Sequence, residues 1–268
     1  MTKFLLIRHG ETEWNRELIF RGRSDIPLSA VGRRQAAQLA AALAHEPIAA
    51  IYASPLSRAR DTAAAIALAR KSDSPALRDE WGRASVKPAG GVHETPPPLV
   101  DDQNFYGGPG QEVEVLTSNE LIDMNCGDWE GLSVAEVQAR YPQEYEMWTN
   151  HPDKLILPGG EGLSAVRTRL RQGLRQWLKL HENQTIALVT HRIVCKILLC
   201  EILRLPNSAF WQIQQDLCAL NIFESTSPPR RASRESKLPG GRFGKYVLLK
   251  MNDTCHLRGI AEKPGVDF

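Results

Sequence analysis

Arg8-His9-Gly10 closes the apolar run Phe4-Leu5-Leu6-Ile7, and His191 closes a second such run, Thr185 to Thr190. A third segment, Ser54-Pro55-Leu56-Ser57-Arg58, follows the apolar run Ile48 to Tyr52 and supplies another arginine. Guanidinium groups keep their charge and hold two oxygens at once, so Arg8 and Arg58 suit a phosphate. A neutral imidazole attacks phosphorus when one ring nitrogen is held by an acceptor and the other faces the substrate, and His9 is assigned that role. An alkoxide leaves poorly near neutral pH, so a protonated side chain must accompany it. Glu120 is the candidate, with Asp123 behind it. A carboxyl group keeps its proton where burial or a nearby negative charge, such as a substrate phosphate, raises its pKa.

Positioning these groups requires a sheet. Short apolar runs ended by polar residues read as buried strands, and ligands of open α/β sheets collect beyond the carboxyl ends of the strands. Two such strands bring His9 and His191 to one pocket. Ser54 and Pro55 are expected as the N-cap and first turn of a helix reaching about Ala69, with Arg58 one turn in. Thr190 is expected to cap an apolar helix from Ile193 to Leu203, whose amino end favours an anion. Ser29 caps a helix reaching Ala44. Two more helices are expected around Ser133 to Arg140 and Gln143 to Trp148, and a longer one from Leu163 to His181. Phe210 to Phe223 and Tyr246 to Lys250 read as strands. Alternating strands and helices predict a three-layer α/β/α sandwich with a mostly parallel central sheet. Residues 71–118 and 225–244 are rich in Pro, Gly and Ser without sustained period, so the chain is expected to be one domain, 1–268, with two inserts.

The three segments resemble the histidine phosphatase superfamily, also called the phosphoglycerate mutase-like family, over residues 1 to about 70 and about 120 to 223, with a final strand near Tyr246 to Met251. The resemblance implies a phosphohistidine at His9, with His191 steadying the equatorial oxygens of the moving group. It also implies a proton donor at Glu120, shortly before Gly127-Asp128-Trp129-Glu130-Gly131. Thr12, Asn15 and the Arg21-Gly22 turn match family positions that touch substrate or phosphate, although a turn role suits them equally. Trp129-Glu130-Gly131 and the short path to Pro158-Gly159-Gly160-Glu161 look like the phosphatase branch, including relatives of α-ribazole phosphatase and broad-specificity phosphatases. The expected activity is a metal-independent phosphomonoesterase acting on a small phosphorylated metabolite. The alternatives are mutase-type phosphoryl transfer, which needs a phosphohistidine shielded from water, and a phosphoester-binding regulator without turnover. Two departures qualify the resemblance. Arg192 stands where family members commonly carry Gly; turned inward it would bind substrate, but it is expected to point out. The 71–118 insert is either a lid, with His93, Asp101, Asp102, Phe105 and Tyr106 as contacts, or a solvated excursion.

Composition fits this reading. Lys and Arg number 33 against 31 for Asp and Glu in 268 residues, so no global field favours nucleic acid or membrane. Attraction for an anionic substrate must be local. No cofactor is expected, and a metal between His9 and His191 is disfavoured because Arg8 and Arg58 would repel it. Five cysteines without metal-type spacing suggest reduced thiols. No apolar stretch reaches membrane-span length and no signal peptide is visible, so a cytoplasmic location is expected. An exposed sheet edge could support a homodimer, and Arg230-Arg231-Ala232-Ser233 reads as an exposed loop.

Overall fold

The computed structural model describes residues 1–71, 113–226 and 245–260. Strands β1 (Thr2–Arg8), β2 (Ile48–Ala53), β3 (Val115–Thr117), β4 (Thr185–Thr190), β5 (Leu220–Thr226) and β6 (Lys245–Asp253) form one sheet in the order β3-β2-β4-β1-β5-β6. The first four pair in parallel, and β5 and β6 join antiparallel. Around the sheet lie α1 (Glu13–Arg16), α2 (Ala30–Leu43), α3 (Ser57–Lys71), α4 (Val134–Arg140), α5 (Pro142–Asn150), α6 (Leu163–Leu180) and α7 (Arg192–Ile202).

Side-chain alternation along the central strands divides the core. Phe4, Leu6, Ile186 and Leu188 pack with Val166 and Leu170 of α6 and Val194 and Leu198 of α7. Leu5, Ile7, Ala187 and Val189 face the other way, onto Leu39 of α2 and Ile66 of α3. This is the expected α/β/α sandwich, and burial on both faces explains why β1 and β4 are continuous apolar runs. Ser29 caps α2 as expected, its side chain accepting from Gly32 N–H at 3.0 Å.

Four local expectations are corrected. Helix α3 begins at Ser57, because Ser54 turns inward to other partners. The N-cap of α7 is His191, since Thr190 still belongs to β4 and its hydroxyl donates to Leu121 O at 2.6 Å. The Phe210 region is a 3-10 turn, Asn207–Gln212, and the strand starts only at Leu220. Phe210 and Trp211 pack against Trp148, tilted and edge-on, with centroids 5.4 and 5.2 Å away, and this packing holds the chain in a turn. The end of the 71–118 insert forms β3, a strand of three residues and too short to show a period. The lid residues His93, Asp101, Asp102, Phe105 and Tyr106 lie outside the described residues, as does Arg230 to Ser233. Among the described residues no helix is long and apolar enough to cross a membrane. At the sheet edge, β6 exposes Val247, Leu249 and Met251.

Candidate active site

Parallel registry sets the two imidazoles at one level. Arg8 pairs with Thr190, and His9 N–H donates to Thr190 O at 2.9 Å, so the next residue of each strand enters the same space. The rings of His9 and His191 lie 5.1 Å apart at 60°. His9 Nδ1 is 2.6 Å from Gly10 O. A carbonyl only accepts, so Nδ1 holds the proton and Nε2 keeps its lone pair. His191 has the other tautomer: Nδ1 accepts from Arg58 Nε at 3.2 Å, and Nε2 donates to Ser54 Oγ at 2.7 Å. Burial pushes the pKa of both rings well below 6.5, helped at His9 by Arg58, Arg8 and Arg21 and at His191 chiefly by Arg58. Both are neutral near pH 7. Sequence reasoning took Ser54 for a helix cap and missed this contact; Ser54 is fully buried, as a residue serving the His191 ring must be.

Arg8 and Arg58 are also buried. Arg8 Nη1 donates to Gln215 O at 2.6 Å. Arg58, delivered by the first turn of α3, donates to Ser24 O at 2.8 Å and Gly22 O at 2.9 Å, and meets Asp123 Oδ2 at 3.3 Å. Burial lowers the Arg58 pKa and raises that of Asp123, each against the pull of the other, so desolvation outweighs pairing on both sides. Gly22 has φ +48°, and a Cβ there would fall 2.1 Å from Glu130 Oε1. Glu130 holds this lip in place by accepting from Arg23 N–H at 2.9 Å and Ser24 Oγ at 3.1 Å. Beside it, the fully buried Trp129 packs on Phe20 with centroids 5.0 Å apart.

The carboxyl that reaches His191 belongs to Asp123, with Oδ2 3.6 Å from His191 Nδ1. Glu120 does not join it. A 3-10 turn, Asn119–Leu121, carries the Glu120 side chain to Ser118, whose hydroxyl donates to it at 2.6 Å. Arg169 holds the turn through Glu120 O at 2.6 Å and Asp123 O at 3.3 Å. A signal for this was present in the sequence: Asp123 sits between Ile122 and Met124, whereas Glu120 follows the polar pair Ser118-Asn119.

His9, Arg21, Gly22, Asp123 and Arg192 line a cavity of about 50 Å³. Arg192 therefore faces inward, contrary to the outward expectation. Thr12 and Asn15 instead bond each other at the start of α1, with Thr12 Oγ1 donating to Asn15 Oδ1 at 2.9 Å, which is the turn role. A family model described as histidine phosphatase superfamily (branch 1) matches residues 4–101 and 107–234. The chain belongs to the histidine phosphatase superfamily. Its fellow members include phosphoserine phosphatase 1 of Hydrogenobacter thermophilus, 28% identical over 96% of this chain and 95% of the relative. Other relatives carry phosphoglycerate mutase names. Among solved structures, YhfR of Bacillus stearothermophilus shares the fold with a TM-score of 0.71 at 23% identity, covering 96% of this chain and 100% of that one. Alpha-ribazole phosphatase of Shigella flexneri gives 0.63 at 23%, covering 84% and 91%. An enzyme of the phosphatase class is what membership in this superfamily agrees with.

Proposed function

We propose that the protein is a phosphomonoesterase that works through a phosphohistidine on His9, needs no metal, and acts on a small phosphorylated metabolite as one domain with two inserts. The observation that carries this is the tautomer of His9, whose Nδ1 is anchored on Gly10 O while the ring lines the cavity beside a buried carboxyl. His9 Nε2 attacks phosphorus and the ester P–O bond breaks. Asp123, whose pKa burial raises, gives its proton to the departing alkoxide. The same carboxylate then takes a proton from water, whose oxygen attacks the phosphohistidine, releasing inorganic phosphate and restoring His9. Arg8 and Arg58 stabilise charge on the equatorial oxygens, His191 turns toward them the Nε2 proton that Ser54 Oγ accepts in the resting site, and Arg21 faces the same cavity. The guanidinium cluster supplies the positive charge that a metal would otherwise bring. Hydrolysis is favoured over mutase transfer by the short path from Gly131 to Pro158.

Phosphate release from p-nitrophenyl phosphate in EDTA tests the reading. His9→Ala is expected to abolish it, together with an acid-labile phosphoenzyme trapped by rapid quench. Undiminished release by His9→Ala would rule the mechanism out, and phosphoglycerate isomerisation faster than hydrolysis would point to the mutase. A homodimer through the β6 edge is a further expectation, checked by light scattering.

A further inference from the structure

Apart from its polar end, the cavity has apolar walls, among them Ile19, Phe20, Trp148, Leu157 and Ile193. Into this lining the first residue of α7 places the Arg192 side chain, whose Nη1 is buried. Arg21 and Arg192 line the cavity together with His9, and both oppose the upward push of burial on the Cys126 thiol in its wall. Arg8 and Arg58, which flank the two rings, are not among the lining residues, whereas Arg192 stands among the apolar ones. Ion pairing there is stronger than at an exposed site, because the apolar walls lower the local dielectric. Asp123 is the sole carboxyl lining the cavity among the described residues, and proton transfer occupies it.

Resting on the phosphomonoesterase reading, we propose that Arg192 determines specificity by binding a carboxylate on the alcohol portion of the substrate. The preferred leaving group is then a compact apolar body, such as a ring, bearing one carboxylate. Phe20, Trp148 and Ile193 hold the body while the guanidinium takes both carboxylate oxygens.

The test compares 3-carboxyphenyl phosphate with phenyl phosphate in two assays. Calorimetric affinities are measured on the His9→Ala protein with and without Arg192→Gln, and kcat/KM is measured on proteins retaining His9. Tighter binding of the carboxylated ester is expected by about tenfold, the scale of one charge-assisted contact. That advantage is expected to fall to about twofold or less in Arg192→Gln and to recover in part in Arg192→Lys, which keeps charge but not the fork. Circular dichroism verifies folding, and should Arg192→Gln not fold, the Arg192→Lys comparison decides. An advantage absent from the parent, or fully retained in the variants, overturns the proposal. Turnover of both esters without an Arg192-dependent preference sinks this inference alone; an Arg192-dependent affinity without turnover sinks the phosphatase reading alone.

Discussion

Two carboxyls three residues apart divide the labour at this site, and only one of them is buried against a cation. Asp123→Asn is expected to slow hydrolysis of an alkyl phosphomonoester by about a hundredfold or more, and to slow p-nitrophenyl phosphate far less, because that leaving group needs little protonation. The rate requires the acid form of Asp123, so it declines as pH rises through the raised pKa, and this alkaline limb should vanish in the Asn variant. Glu120→Gln, altering a side chain held by Ser118, should leave both rates near the parent value. A pH-rate series on the two substrates measures all of this. His9, Arg8, Arg58 and His191 were legible in the sequence because each ends or directly follows a buried strand or lies in the first turn of a helix after one. The choice between Glu120 and Asp123 had only the apolar neighbours of Asp123 to mark it, since it depends on which way a 3-10 turn faces, and no period of two or 3.6 reports that. Arg192 was misjudged for a similar reason: the first residue of a helix has no stripe to declare its direction.

At the scale of elements, the lip from Arg21 to Ser24 depends on the Gly127–Gly131 segment. Gly22→Ala would put a Cβ into Glu130 at a left-handed φ, which costs roughly 1–2 kcal/mol before any clash. A lower Tm and a raised KM are expected together, read by thermal unfolding and steady-state kinetics. Trp129→Ala empties the centre of an aromatic cluster and should cost about 3–5 kcal/mol, seen as a lower urea midpoint. Long helices and the two central strands were visible from composition and period. The three-residue β3 and the turn at Phe210 were not, because sheet pairing in one case and edge-on ring packing in the other override local preference.

For the molecule as a whole, burial lowers the pKa of His9, His181, His191 and His256. Above 6.5, the ordinary imidazole value, neither folded nor unfolded chain carries these protons and stability is complete. As pH falls below it, the unfolded chain takes up protons that the native one refuses, so stability drains toward the folded pKa values. Asp123 acts in the opposite sense, favouring the fold at low pH and ceasing to do so as pH rises through its raised value. With four rings against two carboxyls of raised pKa, Asp61 and Asp123, Tm is expected to drop between about pH 7.5 and about pH 5.5, less steeply in His191→Asn. A scanning calorimetry series that is flat over this interval would contradict the linkage. The alignment of β1 with β4 has one more consequence. A slip of a single residue along that seam would invert the faces of a whole strand and carry His191 away from its partner ring. Catalysis in this chain is therefore a vernier for strand alignment, and recovery of phosphate release after dilution from denaturant would time the moment at which the central pair locks.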